Sequence, residues 1–169
     1  MFKLNFLQMR TNQALKKNKI LRSSKPYKKA ATVGILFTVE DKQKHHDVKE
    51  FIHQLEQDGK QVQVLEFLPE KKENYEFKFD FFSLQDINFW GTLTSAAAEK
   101  FIQTPFDYLY YIDMRPNPIL LHLLARCKAH CRIGRFSENK SDFFEMMIEQ
   151  NGTHKGLIET MYNYTKQLR

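Results

Sequence analysis

Four charged side chains stand where an α/β sheet would bind a ligand. Glu40 and Asp41 follow one β-prone apolar stretch, and Asp113 follows another. Ligands of open α/β sheets bind at the carboxyl ends of the strands, where the strand order reverses. Two carboxylates there can act as a general base and its partner, and Arg115 can meet a phosphate or carboxylate. We favour the alternative that all four are loop charges and helix caps, because no glycine-rich phosphate loop accompanies them.

Sulfur and imidazole side chains occur together further along the chain, at His122, Cys127, His130 and Cys131. Their spacing fits no zinc motif, and cysteines of a cytosolic chain are usually reduced and buried as small apolar residues. Gly34 lies within a predicted strand rather than in a Gly-x-Gly-x-x-Gly turn, which argues against a dinucleotide site. We therefore predict neither a metal site nor a cofactor.

The composition indicates a folded protein of about one domain. The chain has 169 residues, of which 42% are apolar and 14% aromatic, and this content is unlike that of disordered proteins. No apolar run approaches the roughly 20 residues that span a bilayer. Residues 1–24 lack the apolar core and cleavage site of a secretory signal, so we expect a cytoplasmic protein.

The elements that must position these residues alternate between strand and helix. Strands are predicted at residues 32–39, 61–68, 77–83, 106–112, 131–136 and 143–149, and helices at 2–22, 45–58, 95–103, 118–127 and 153–168. This alternation is typical of a sheet covered by helices on both faces. We predict a single Rossmann-like, three-layer α/β domain with a mostly parallel sheet (residues 30–169), preceded by a basic, helical N-terminal arm (residues 1–29).

Positive charge is concentrated in that arm. Residues 1–29 hold nine Lys or Arg and no Asp or Glu, whereas the remaining 140 residues hold seventeen basic and all twenty acidic side chains. Charge segregation of this kind is typical of a surface that contacts a charged partner. The cations that we predict to contact phosphates are Lys16, Lys17, Lys19, Arg22, Lys25, Lys28 and Lys29.

Four interpretations of the arm remain open. In the first, the arm binds RNA, because cations that neutralise phosphates release the counterions of the RNA. Basic extensions that become ordered on RNA are common in proteins of ribosomal particles. Apolar residues among the first nine favour an amphipathic helix on an anionic membrane instead. An organellar targeting peptide is a third interpretation, although the excess of Lys over Arg weakens it. In the fourth, the arm packs on its own domain and leaves a solvated basic face.

Aromatic side chains are frequent in residues 79–90. Stacking on nucleobases is one use for such side chains. We favour core packing, or an apolar patch that docks a protein partner. The aromatic residues concerned are Phe79, Phe81, Phe82, Phe89 and Trp90.

Three segments form a pattern of strand, Leu-rich helix and strand: the stretch from Phe106 to Asp113, the Leu-rich residues 120–129, and Arg132-Ile133-Gly134. They resemble the N-terminal, acceptor-side domain of heptosyltransferase-type glycosyltransferases. In those transferases a strand ends in Asp, a Leu-rich helix follows, and the next strand carries Arg-Ile-Gly. The chain as a whole looks more like a small bacterial family with no assigned activity that shares this half-domain pattern.

The chain also departs from the transferase pattern. The transferases carry a Gly-Asp loop after the first strand that supplies a catalytic carboxylate, and here the loop from Thr38 to Lys42 has no glycine. Their nucleotide-sugar donor is held by a second Rossmann domain, for which we expect no room in this chain. The resemblance therefore implies a fold rather than an activity.

Together these observations predict a non-enzymatic binding module that associates with RNA or the ribosome through its basic arm. One alternative is a glycosyltransferase-like or nucleotide-binding enzyme with its site at the carboxyl edge of the sheet and Asp41 or Asp113 as the base. The other is a membrane-peripheral adaptor.

Overall fold

The computed structural model describes residues 2–75 and 79–169. The helices are α1 (Phe2–Lys17), α2 (Lys42–Gln57), α3 (Ala96–Gln103), α4 (Pro118–Arg126) and α5 (His154–Lys166). The strands are β1 (Thr32–Thr38), β2 (Gln61–Leu68), β3 (Asp80–Ser83), β4 (Tyr108–Tyr111), β5 (Cys131–Arg135) and β6 (Met146–Ile148). The strand order is β3-β2-β1-β4-β5-β6, and every neighbouring pair is parallel. The predicted Rossmann-like α/β fold with an N-terminal helix is confirmed.

The sheet separates two apolar clusters, because alternate side chains of a strand point to opposite faces. Leu36 of β1 packs with α1, α3 and α4 on one face, whereas Ile35 and Phe37 pack with α2 and α5 on the other. Residues 33–37 are all buried, as expected for a central strand covered on both sides. The strand order reverses between β1 and β4, and the loops after these strands meet at the carboxyl edge.

Polar side chains begin four of the helices. Asp41, Ser95, Asn117 and Thr153 accept hydrogen bonds from backbone N–H groups in the first turns of α2, α3, α4 and α5. Such caps satisfy amides that have no partner within the helix. At the other end of α2, Gly59 follows the helix with a φ of +78°.

Several predicted boundaries differ from the structure. The predicted helix over residues 2–22 ends at Lys17, where Asn18 donates to the carbonyl oxygens of Ala125 and Cys127 at 3.0 and 3.1 Å. The predicted strand 143–149 is reduced to β6, because a 3-10 turn precedes it and Phe144 packs into the core. Of the predicted strand 77–83, β3 accounts for the last four residues, and residues 77 and 78 lie outside the described part of the chain.

After α1 the chain runs along the amino edge of the sheet as a strap, residues 18–31. The Ser23 N–H donates to the His130 carbonyl at 3.0 Å, and Tyr108 donates its hydroxyl to the Lys25 carbonyl. Tyr27 then packs against α5, and its N–H donates to the Leu168 carbonyl at 3.2 Å. The predicted boundary at residue 29 therefore falls inside a segment that contacts β4, β5 and α5.

Replacing Gly91 by Ala is expected to loosen α1 from the domain. Gly91 has a φ of +70°, and an added Cβ would lie 2.9 Å from the backbone nitrogen of Leu7. An L-residue at this φ costs about 1–2 kcal/mol, and the collision with α1 adds to that. Hydrogen exchange should show faster exchange in α1. Gly59→Ala is the matched control, since Gly59 has φ +78° and no neighbour within 4 Å of an added Cβ. Equal destabilisation by both changes would contradict the expectation.

Candidate nucleic-acid interface

The carboxyl edge between β1 and β4 is filled by a buried ion network. Asp113 is 3% exposed, and its carboxylate accepts hydrogen bonds from the backbone N–H and the hydroxyl of Thr38 at 2.9 and 2.7 Å. The ammonium of Lys44, itself fully buried, lies 2.7 Å from Asp113 and 2.8 Å from Glu40. The cavity beside Asp113 is small, with a volume of about 10 Å³. Asp113 therefore joins β1, β4 and α2.

The other candidate catalytic residues have separate contacts. Asp41 caps α2 through a 2.8 Å bond from the Lys44 N–H. Glu40 bridges Lys44 and His154, with its second oxygen 3.4 Å from the His154 ring. Arg115 is exposed. The structure thus brings Glu40 and Asp113 together around Lys44 and leaves Asp41 and Arg115 outside that network.

The two cysteines lie on either side of the turn after α4, and both are free and buried. Burial raises the pKa of the Cys127 thiol and raises that of Cys131 to about 12. Such thiols stay protonated at neutral pH and are poor nucleophiles and poor metal ligands. Within residues 2–75 and 79–169, no group of three or more His, Cys, Asp or Glu side chains is placed to hold a metal ion.

Six of the seven predicted phosphate-contacting cations are exposed, and we call this set the basic surface. Arg22 is partly buried and donates to the carbonyl oxygens of Cys127 and Ala129, so it fixes the strap instead. Lys25 forms an ion pair of 2.5 Å with Asp107. The basic surface comprises Lys16, Lys17, Lys19, Lys25, Lys28 and Lys29.

The helix that begins the arm lies against α4 and runs parallel to it. Leu7 and Thr11 are buried, and Ala14 and Leu15 pack against the same core cluster. Thr11 lies 3.0 Å from His122 Nδ1, which ties the middle of α1 to the middle of α4. The middle of the apolar stripe of α1 is therefore covered by the protein itself, whereas Phe2, Leu4 and Met9 are exposed. No helix in the described residues is long and apolar enough to span a membrane.

A short hairpin, residues 86–94, contacts α1 and carries two exposed aromatic rings. Ile87 and Leu93 form an antiparallel bridge, and the Asn88 side chain accepts from the N–H groups of Trp90 and Thr92 at 3.0 and 2.9 Å. Phe89 and Trp90 at the tip are 53% and 59% exposed. Both rings touch Phe6 of α1, with centroid distances of 6.2 and 5.6 Å.

The aromatic stretch therefore divides between core and surface. Phe82 is fully buried and Phe79 is half-buried, in line with the expectation of core packing. Phe81, Phe89 and Trp90 are exposed. Residues 79–90 thus supply both part of the core and an aromatic protrusion beside the N-terminal helix.

Sequence reasoning missed two cations that join this region, Arg10 and Arg126. Arg10 donates from Nε to the Trp90 carbonyl at 2.8 Å, and Arg126 donates to Glu99 at 2.8 Å. Together with Lys17 they line a groove between α1, α4 and the hairpin. The spacing of Arg10, Gln13, Ala14 and Lys17 along one helical face was a signal for Arg10, whereas Arg126 joins the groove only through tertiary packing.

The chain matches a protein-family model over residues 3–168, which is nearly its whole length. That family is described as "Family of unknown function (DUF6913)". No curated protein and no solved structure matches the chain. Because the match covers far more than half of the residues, the chain belongs to the DUF6913 family.

Proposed function

We propose that this protein binds RNA through the basic surface at the end of α1 and along the strap. The observation that carries the proposal is the placement of six exposed lysines on a stretch of chain that the domain holds in a fixed path. Of these six, Lys25 alone has an acidic partner within 4 Å among the described residues. Phosphates are the counterions that such a surface favours.

The fixed path of the strap is favourable for binding. Backbone bonds from Ser23 and Tyr27 and the buried contacts of Arg22 hold the strap against β4, β5 and α5. A surface that is already ordered loses less conformational entropy on association than a free tail does. Ribosomal particles are the RNA partner that we propose, because they present extended arrays of accessible phosphates.

The carboxyl edge supports this function over an enzymatic one. Both oxygens of Asp113 already have partners in Thr38 and Lys44, and the cavity beside Asp113 is small, at about 10 Å³. A general base must reach a substrate proton at hydrogen-bond distance, and at Asp113 that position is taken by Thr38 and Lys44.

The test compares two triple variants with equal loss of charge. The first changes Lys16, Lys17 and Lys19 to Gln. The control changes three exposed lysines near the carboxyl edge, Lys42, Lys71 and Lys155, to Gln. Binding of a labelled single-stranded RNA is measured by fluorescence anisotropy between about 50 and 200 mM salt.

We expect the first variant to bind the RNA about tenfold more weakly at low salt. The slope of log K against log salt concentration should become less steep by about 2, because three phosphate contacts are lost. The control variant should match the wild type. In cell lysate, the wild type should sediment with ribosomal particles, and the first variant should not. Affinity and slope that are the same in all three proteins would contradict the proposal.

A further inference from the structure

The groove between α1, α4 and the hairpin adds a second positively charged feature next to the basic surface. Its volume is about 250 Å³, which is below the range of about 300–1,000 Å³ for pockets that enclose a drug-sized molecule. Lys17 belongs both to this groove and to the basic surface. The lining residues are Arg10, Gln13, Ala14, Lys17, Gly91, Thr92, Leu93, His122 and Arg126.

The charges of the groove favour an anion. Three cations line it, while the one carboxylate that reaches them, Glu99, pairs with Arg126 and is not part of the lining. Arg10 uses its Nε on the Trp90 carbonyl, so the rest of its guanidinium has no partner among the described residues. Guanidinium groups bind phosphate oxygens in a bidentate manner.

His122 adds no positive charge to the groove. Burial, and then the charges of Arg126 and Arg10, lower the pKa of His122 to about 4. The ring is therefore neutral at physiological pH, and an anion in the groove would be balanced by the arginines and Lys17.

The exposed rings at the hairpin tip lie next to the groove in the chain and in space. Trp90 immediately precedes Gly91 of the lining, and its carbonyl receives the bond from Arg10. Phe89 and Trp90 meet edge to face, with centroids 5.2 Å apart and planes at 87°. The Asn88 side chain accepts a hydrogen bond from the Trp90 N–H, and both the N–H and the hydroxyl of Thr94 donate to the Asp86 carbonyl. These hydrogen bonds keep the tip of the hairpin ordered. Exposed aromatic side chains beside cations are typical of single-stranded nucleic-acid sites.

We propose that the groove and the hairpin tip bind one nucleotide of a single-stranded RNA, with its phosphate in the groove and its base stacked on Trp90. The inference rests on the proposed RNA binding and specifies the form of RNA. Bases of a duplex are already stacked on each other, whereas bases of a single strand are free to stack on a side chain. From the groove, Lys17 leads the strand onto the basic surface.

The experiment uses the intrinsic fluorescence of Trp90, which is the only tryptophan of the chain. The full-length protein is titrated with a single-stranded oligouridylate, with a duplex RNA of equal length and with inorganic phosphate. Labelled forms of both RNAs report binding by anisotropy. We expect the single strand to quench Trp90 in a saturable manner, and we expect duplex RNA and phosphate to leave the emission unchanged.

Two substitutions complete the test. Trp90→Leu keeps an apolar side chain and removes the stacking surface, and it should weaken binding of the single strand by about 5- to 150-fold. Phe136→Leu is the control, since Phe136 is also exposed (45%) but follows β5 at the carboxyl edge. It should bind like the wild type. Circular dichroism confirms that both variants are folded.

The outcomes separate this inference from the function on which it rests. If the single strand binds without quenching and Trp90→Leu has no effect, the nucleotide site is overturned and RNA binding through the basic surface stands. If no RNA binds by anisotropy, both proposals fail. A blue shift of Trp90 on vesicles with anionic lipid, without any response to RNA, would assign the surface to a membrane and overturn both.

Discussion

Replacing Lys44 by Met is expected to lower the free energy of unfolding by about 3–5 kcal/mol, because it leaves a buried carboxylate without its counter-charge. The Lys44 ammonium is fully buried, 2.7 Å from Asp113, which is only 3% exposed. Met keeps most of the apolar volume of the Lys side chain. The loss of unfolding free energy therefore comes from the missing charge and not from poorer packing. Urea denaturation at pH 7, followed by circular dichroism, measures it.

Two further variants show whether the Lys44 effect is electrostatic. Lys42→Met, two residues earlier on the same helix but exposed, should change stability by less than about 0.5 kcal/mol. The double variant of Lys44→Met and Asp113→Asn should lose less than the sum of the single changes, since it leaves no buried carboxylate at position 113 without its counter-charge. Additive losses would show that the two groups do not stabilise each other.

Replacing Glu66 by Gln is expected to stabilise the protein at pH 8 by up to about 3 kcal/mol and to change little at pH 5. Glu66 lies on β2 with no exposed surface, and burial raises the pKa of its carboxyl group to about 7. The nearest ionisable group of opposite sign is His45, whose Nδ1 is 3.7 Å from Oε2. Within the described residues, neither carboxylate oxygen accepts a hydrogen bond.

The direction of the pH dependence follows from proton binding. Between the ordinary pKa of 4.5 and about 7, the folded chain holds a proton on Glu66 that the unfolded chain has already lost. The free energy of unfolding of the wild type therefore falls as pH rises through this interval, and Gln removes that dependence. Denaturation curves at pH 5 and 8 measure the difference, with exposed Glu70→Gln as the control. Parallel pH profiles of wild type and Glu66→Gln would contradict the assignment.

The sequence predicts the central strands well, because burial on both faces leaves a continuous apolar run. The bounds of β2 are those expected, and β1 ends one residue earlier than predicted. The edges are predicted less well, as in β6, whose start depends on where Phe144 packs. The likeness to the heptosyltransferase half-domain stays a prediction.

The buried charges were harder to predict, although a signal existed. His45 and His46 are adjacent near the start of α2, yet His45 is only 3% exposed whereas His46 is exposed. The apolar stripe of α2 includes Val48 and Phe51, and one turn earlier it reaches positions 44 and 45. Extending this apolar stripe toward the N-terminus of α2 places Lys44 and His45 on the buried face of the helix. Glu40 lies four residues before Lys44, but the partners Asp113, which follows β4, and Glu66 on β2 come from tertiary packing and cannot be derived from local spacing.

The end of α1 depends on a similarly distant contact. Nothing near residue 17 in the sequence stops α1 as a proline or glycine would. The helix ends because Asn18 binds carbonyl oxygens more than 100 residues away at the end of α4. The groove is unpredictable for the same reason, since Arg126 and Arg10 meet only after α1 docks.

The path of the strap also has a consequence for the order of events during translation. Residues 18–31 are made early, yet their partners are the starts of β4 and β5 and the end of α5, including the Tyr27 bond to Leu168. Contacts of such sequence separation form slowly, and a nascent chain cannot complete them until its last helix has left the exit tunnel. The lysine-rich strap is therefore expected to complete its packing only after α5 has been made and folded.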